Sequence, residues 1–405
     1  SLLRPGASRC MAPRMLERLN PQAPDALLAL IKLHAADPRA DKIDLGVGVY
    51  RTGQGDTPVF AAVKAAERLL VEQQDSKSYL GPEGDMGFVQ ALTPYIFGAD
   101  ATMGGRISGM QTPGGTGAVR LAVALAQKAG VTRVLVGKPS WPNHAQILGD
   151  IALETEWFNH ACADGTADLD AVLSAIRGAG PDAAVLLHGA CHNPTGIDYT
   201  PDQWDAIAAA FAESGAFPII DLAYQGLGHG MEEDAYGLRR VLAAVPEAFI
   251  AYSCDKNFGV YRDRVGAFYA MTRKPDELDA VFSNANALAR AAWSMPPDHG
   301  GAVARIVMGD PGLTEQWLDE LAQMRQRMRQ VRERLGAAGM AGRIDLAPLA
   351  SQNGLFSTLA VTPEQVKQLR EEHAIYMAGS GRINIAGLTA GNIEKFIGAL
   401  AAVTG

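Results

Sequence analysis

The sequence predicts an α/β protein: a large domain with a mostly parallel central sheet flanked by helices, and a smaller α+β domain. Three observations carry that expectation. The middle of the chain alternates apolar, strand-length runs with helix-length segments, as in Asp182–His188, Pro201–Glu213 and Phe217–Leu222. Buried strands separated by helices in this way build parallel βαβ units. The C-terminal third changes character, with a long charged helix over Leu313–Leu335 followed by short strands and helices. Finally, 405 residues with 48% hydrophobic and 20% charged content suit a globular chain of two or three domains.

In chain order, residues 1–20 read as a tag or disordered lead-in. Ser1–Arg14 hold no apolar h-region, so no secretory signal is expected, and Met11 is a candidate native start. Leu27, Leu28, Leu30, Ile31 and Leu33 form an apolar helical stripe that ends before Asp37-Pro38. Ile43–Tyr50 reads as a short extended segment. Residues 21–57 are expected to be an N-terminal segment joining the small domain. The large domain, 58–312, opens with an amphipathic helix over Pro58–Gln73 and a Gly/Pro-punctuated loop at Ser78–Pro82. A Gly-rich turn, Thr112–Thr116, leads into a helix over Ala118–Ala129. Strands are expected at Val131–Gly137, Asp182–His188, Phe217–Leu222, Phe249–Ser253 and Val265–Met271, and helices at Asp168–Arg177 and Pro201–Glu213. Thr200 is the expected N-cap of the latter, with Pro201 at its first position. Residues 313–405 form the interdomain helix and small domain. Leu318, Leu321, Met324, Met328 and Val331 mark the long helix. Short strands near Gly354–Leu359 and Arg382–Ile385 and helices over Thr362–His373 and Thr389–Val403 complete the domain.

Composition excludes several functions. Lys plus Arg number 36 and Asp plus Glu 44, a formal charge of −8, which argues against a chain that coats nucleic acid with a basic face. No apolar run approaches the roughly 18 residues of a membrane helix. Cys10, Cys162, Cys191 and Cys254 show no CxxC spacing and are too sparse for a disulfide scaffold. Reduced thiols and a cytoplasmic location are expected. No metal is expected, because His188, Cys191 and His192 match no common zinc spacing and no second cluster completes four ligands.

Four polar features fall at the ends of expected strands or on adjoining turns, where open α/β sheets bind ligands. Thr112-Pro-Gly-Gly-Thr-Gly-Ala118 opens a helix, and its spacing is neither a Walker A loop nor a dinucleotide fingerprint. Read alone, it is either a tight strand–helix turn or a phosphate cradle at a helix N-terminus. Asn193-Pro194 marks a turn after a strand and either serves turn geometry alone or turns an amide into the cleft. Asp221 ends an apolar strand, with Tyr224 three residues on, and a buried carboxylate needs a partner. That partner is a salt bridge, a cap or the protonated ring nitrogen of a heterocycle. Lys256 follows a buried strand in Ser253-Cys-Asp-Lys-Asn-Phe-Gly259. It is a surface lysine or, if desolvated, an amine able to condense with a carbonyl. Together, a phosphate site, a carboxylate for a ring nitrogen, amide and phenol donors and a reactive lysine describe a pocket for pyridoxal 5′-phosphate.

Eight stretches make the pattern familiar: Asp41-Lys-Ile-Asp-Leu-Gly-Val-Gly-Val-Tyr50, Ser78-Tyr-Leu-Gly81, Thr112-Pro-Gly-Gly-Thr-Gly-Ala118, Pro139-Ser-Trp-Pro-Asn-His144, Cys191-His-Asn-Pro-Thr-Gly196, Asp221-Leu-Ala-Tyr-Gln-Gly226, Lys256-Asn-Phe-Gly259 and Gly381-Arg-Ile-Asn384. From about Pro24 to Val403 the chain resembles the aspartate/aromatic amino acid aminotransferases, class I enzymes of the fold-type I pyridoxal-phosphate family. The resemblance implies that Lys256 is the Schiff-base lysine and proton shuttle. It makes Asp221 the partner of the ring N–H, with His144 behind it, and gives Asn193 and Tyr224 to the cofactor's ring oxygen. Trp141 would stack on the ring. Gly115, Thr116, Ser253 and Arg264 would hold the phosphate, with Tyr79 reaching the phosphate of a neighbouring subunit in a homodimer. Arg382 would clamp the substrate α-carboxylate, Arg290 would reach across to a dicarboxylate side chain, and Gly48 would belong to a segment closing over substrate.

The implied reaction is ping-pong transamination between an amino acid and 2-oxoglutarate. Other chemistry on the same cofactor and a non-catalytic binding protein on the same fold are the competing readings. An intact Lys256, Asp221 and Arg382 argue against the latter. The sequence departs from the family pattern in three places. Asp255 stands where Ser often precedes the lysine, and is expected to turn away from the phosphate or pair with Arg262. Leu222 stands where Phe is common after the strand aspartate. Met295 stands where the aspartate enzymes usually carry Asn, which removes a donor and adds a flexible apolar surface. That tilts the expected preference to tyrosine and phenylalanine with aspartate also accepted. An aspartate aminotransferase with strict dicarboxylate preference is the alternative.

Overall fold

The computed structural model describes residues 15–21 and 26–405, so most of the expected lead-in lies outside the described residues. Strand β1 is Ile43–Asp44. A central sheet follows, built from β2 (Ile107–Pro113), β3 (Arg133–Lys138), β4 (Glu154–Asn159), β5 (Ala183–His188), β6 (Phe217–Leu222), β7 (Ala248–Ser253) and β8 (Val265–Met271). Their order is β2-β8-β7-β6-β5-β3-β4. The pairs β3·β4, β3·β5, β5·β6 and β6·β7 are parallel, and β8 runs antiparallel to both β7 and β2. The mostly parallel α/β sheet expected from sequence is present.

The five expected strands lie within two residues of their expected ends, because continuous apolar runs such as Ala183–Leu187 are what a sheet covered on both faces requires. Two strands were not expected. β2 is interrupted in sequence by Gly109 and Gln111, which hide its apolar character, and Gly109 is needed because a Cβ there would lie 2.4 Å from the Tyr269 ring. β4 is an edge strand whose Glu154, Thr155 and Glu156 give it no apolar pattern, and charged residues suit an edge. The helix after β2 is Gly114–Lys128, beginning four residues earlier than expected, because the glycines themselves form its first turn. Thr200 caps Pro201–Ser214 as expected: its side chain accepts from Gln203 N at 3.3 Å and Gln203 Oε1 accepts from Thr200 N at 2.9 Å.

The expected long helix is Pro311–Ala337. Its Trp317 is fully buried, donates to Asn257 O at 2.7 Å and stacks on Phe258 at 4.2 Å between ring centroids. That contact fixes the loop after β7 from below. The expected extended segment Ile43–Tyr50 pairs as a strand only at β1, which runs parallel to Ile375–Tyr376. Beyond β1 the chain is held by Asn384, whose Nδ2 donates to Val47 O at 2.6 Å and Val49 O at 2.8 Å. Among the described residues no helix is long and apolar enough to cross a membrane.

Candidate active site

Parallel strands bring their carboxyl ends to one edge of the sheet, and the polar residues of the chain gather there. β3 leads to Trp141, β5 to His188 and Asn193, β6 to Asp221 and Tyr224, and β7 to Ser253 and Lys256. β2 delivers the helix start at Gly115 and Thr116, and the antiparallel β8 begins just after Arg264. These residues, with Ala223 and Asp255, line one cleft of about 620 Å³, open solvent at its mouth included.

Register sets the geometry. His188 lies opposite Asp221, and Ser253 opposite Gly266. Asp221 is 5% exposed, and its Oδ2 accepts from His144 Nε2 at 2.9 Å. His144 Nδ1 is 2.9 Å from Ser140 Oγ, which is 3.1 Å from His188 Nε2. One assignment of protons satisfies this row: His188 donates to Ser140, Ser140 to His144, and His144 to the carboxylate. Burial drives His188 far below the usual imidazole range, with the nearby His144 and His160 adding to the effect. It therefore serves as a neutral donor. Oδ1 of Asp221 and Oδ1 of Asn193 are both buried without a partner. Asn193 Nδ2 donates to Tyr224 Oη at 3.4 Å, and burial raises the Tyr224 phenol well above its ordinary value.

Lys256 Nζ lies 5.2 Å from the Tyr224 ring centroid. Burial lowers its ammonium pKa, against the pull of Asp255 and Asp221, which favours the neutral, nucleophilic amine. The loop bearing it cannot wander. Asn257 Nδ2 donates to Tyr252 Oη at 2.9 Å and to Gln225 O at 3.2 Å, and Trp317 closes the loop from beneath. Gly115 lets the helix start close on β7, since a Cβ there would sit 2.9 Å from Ser253 Cβ. Backbone N–H groups and a positive helix end therefore face the cleft beside a serine hydroxyl, an arrangement suited to an anion.

Arg382 is close by but does not line the cleft. Its Nη2 donates to Gly46 O at 3.0 Å, its guanidinium lies 4.5 Å from the Phe356 ring centroid, and its buried Nε has no partner. Phe356 in turn packs edge-on to Tyr224. Gly48 allows the close approach: a Cβ there would lie 2.8 Å from Phe356 Cζ, so the ring would have to shift. Tyr79 and Arg290 are not brought into this chain's cleft. Tyr79 is 94% exposed, and Arg290 is exposed, with Nη1 donating to Ser294 Oγ at 2.6 Å.

Sequence reasoning missed part of the site. His188 and Ser140 were legible only as neighbours of motif residues, since nothing in the sequence shows that β3 and β5 are adjacent. Asp255 was expected to turn away from the phosphate or to pair with Arg262; it lines the cleft and pairs with Arg264.

The family profile described as "Aminotransferase class I and II" matches residues 40–400. The chain is 47% identical to a tyrosine aminotransferase of Rhizobium meliloti, over 95% of this chain and 99% of that protein. It is 41% identical to an aspartate aminotransferase of Escherichia coli, over 96% and 100%. Among solved structures, an aromatic-amino-acid aminotransferase from Burkholderia pseudomallei, covalently bound to pyridoxal phosphate, superposes with a TM-score of 0.92 at 34% identity, covering 97% of this chain and 100% of that one. An aromatic amino acid aminotransferase with 3-indolebutyric acid superposes with a TM-score of 0.91 at 41% identity, covering 96% and 100%. With a lysine, a carboxylate and an anion-binding helix start converging in one cleft, and relatives this similar along nearly its whole length, the chain belongs to the class I and II aminotransferases.

Proposed function

We propose that the protein transfers the amino group of tyrosine or phenylalanine, with aspartate also accepted, to 2-oxoglutarate in two alternating half-reactions on pyridoxal 5′-phosphate. The observation that carries this reading is the convergence of Lys256, Asp221 and the Gly115–Thr116 helix start in one cleft. The residues fit the cofactor. Asp221 Oδ1 awaits an N–H donor, Asn193, its Oδ1 unpartnered, donates through Nδ2 to the Tyr224 hydroxyl, and the helix start suits a phosphate. When bound, the cofactor supplies an electron sink for negative charge at the substrate α-carbon.

The chain's own residues do the rest. Gly115, Thr116, Ser253 and Arg264 would hold the phosphate. Asp221, backed by His144, would keep the ring nitrogen protonated. Asn193 and Tyr224 would bind the ring oxygen, and Trp141 would lie against the ring. Lys256 would hold the cofactor at rest and, as a free amine, would take the α-proton and return it. Arg382 grips the α-carboxylate through two N–H groups, which a planar guanidinium does better than an ammonium. The Gly48 segment closes over substrate. In a homodimer, Tyr79 and Arg290 of one copy reach the cleft of the other, which suits their exposure here. The same reading joins 21–57 to a small domain over 313–405, around a large domain over 58–312, and the pairing of β1 with Ile375–Tyr376 supports it.

Specificity constants for tyrosine, phenylalanine and aspartate, each with 2-oxoglutarate, test the proposal. Both aromatic substrates are expected to exceed aspartate. A wide margin for aspartate would establish the dicarboxylate enzyme instead.

A further inference from the structure

The anion corner of the cleft contains a charge that the reading above leaves unused. Asp255 is 1% exposed and lines the cleft between Ser253 and Lys256. Its Oδ1 accepts from Val265 N at 2.9 Å, and its Oδ2 pairs with Arg264 Nη1 at 2.5 Å. Arg264 has φ +56°, in the left-handed region that non-glycine residues seldom enter, so the backbone is held there against its preference. Gly114, at φ +69°, makes room for the pair: a Cβ would lie 2.5 Å from Arg264 Nη2 and 3.0 Å from Asp255 Oδ2. The ion pair is thus packed on the first turn of the helix that begins Gly114-Gly115-Thr116. Arg264 Nη1 is taken up by Asp255 and by Tyr261 O at 3.3 Å. Among the described residues Nε and Nη2 have no hydrogen-bond partner, so the guanidinium keeps one two-donor edge free for an anion.

We propose that Asp255 is a positioning residue that grips Arg264 by one nitrogen, and that its carboxylate weakens the corner for phosphate, so that a phosphate monoester exchanges readily. The proposal rests on reading this corner as a phosphate site. A phosphate monoester carries about −1.5 to −2 charges at neutral pH. Facing it, the positive charge of Arg264 is offset by Asp255, which leaves the helix end as the remaining positive feature, since burial favours the neutral amine of Lys256. A neutral residue at 255 would expose the full arginine charge. Loss of the grip works in the opposite direction, by freeing the guanidinium. The charge is the larger effect, because Tyr261 O and the packing on Gly114 still confine the side chain once Asp255 is neutral.

Full-length wild type, Asp255→Asn, Asp255→Ser and Asp255→Glu proteins, dialysed free of small molecules, are titrated with inorganic phosphate in a calorimeter. The Asn and Ser variants are expected to bind roughly tenfold more tightly than wild type, and the Glu variant about equally. The nearly isosteric Asn variant keeps the test valid if Ser unfolds the loop. In protein loaded with pyridoxal 5′-phosphate, loss of the cofactor to a trapping reagent is expected to slow in the Asn variant by a similar factor. Equal or weaker phosphate binding by Asn and Ser overturns the proposal and makes Asp255 a structural brace. Wild type that binds phosphate but takes up no pyridoxal 5′-phosphate defeats the cofactor reading while leaving the Asp255 comparison intact. No phosphate binding by any of the four defeats both.

Discussion

The floor and the rim of the cleft are built on opposite principles. On the floor, Asp221 and His144 are buried, Ser140 and His188 are half-buried, and their hydrogen bonds run within one chain from β6 to β3 and β5. At the rim, Tyr79 and Arg290 lie at the surface, and Arg290 donates to Ser294 Oγ at 2.6 Å. Buried groups feel a low dielectric, so burial favours the neutral forms of Lys256 and His188. An exposed arginine keeps its charge but gains little from a partner until something covers it. Under the proposed function the difference has a reason: reactive groups need the sheet's interior, whereas groups that would select a substrate side chain can wait at a surface for another copy of the chain.

Several experiments would break or sharpen this contrast. Replacing Lys256 with Ala should lower kcat by roughly 10³-fold or more, within the usual reach of a general base and nucleophile, and abolish any pH-dependent visible band of the purified protein. A variant that kept both would remove Lys256 from the floor's chemistry.

Acid should damage the floor's surroundings before the rim. His160 is buried against His192, with ring centroids 3.5 Å apart, and burial lowers its pKa to about 4. The unfolded value, about 6.5, is higher, so the unfolded chain binds more protons between the two. Its stabilising contribution is therefore complete above pH 6.5 and lost as pH falls toward 4, at most roughly 3 kcal/mol. Urea unfolding at pH 7.5 and 4.5 measures the loss, and His160→Gln should flatten it.

Arg382→Ala should lower kcat/KM for every amino acid substrate by about 10- to 100-fold, the size of a lost charge-assisted contact, with Arg382→Lys between the two. The smallest and most selective effect belongs to the rim. Arg290→Ala should cost aspartate about tenfold in kcat/KM while sparing tyrosine. Equal losses for both substrates would place Arg290 in folding or assembly rather than selection.

The floor was more legible than the rim. Lys256, Asp221 and Asn193 could be singled out because each follows an apolar strand, and strand ends converge in a parallel sheet. Trp141, Arg382 and Arg290 stood out only through the family resemblance, since an isolated tryptophan or arginine carries no positional signal. The strand β4 escaped notice because an edge strand has no buried face to impress on its sequence. The partner of Asp255 escaped for another reason. Arg262 is the nearer of the two in sequence, yet it is Arg264, with its left-handed backbone, that meets the carboxylate.

By itself the sequence determined five of the central strands and several of the helices around them, that the sheet is mostly parallel, and which residues stand at its reactive edge. Those properties follow from local periodicity and from the rule that parallel strands end together. Tertiary structure alone decided the lateral order of the strands. With that order it decided the row from Asp221 through His144 and Ser140 to His188, the bracing of the Lys256 loop by Trp317, and the pairing of Asp255 with Arg264. Each of these joins residues from separate elements or turns on a single backbone angle, and no pattern of neighbouring side chains encodes which of several nearby partners a charged group will meet.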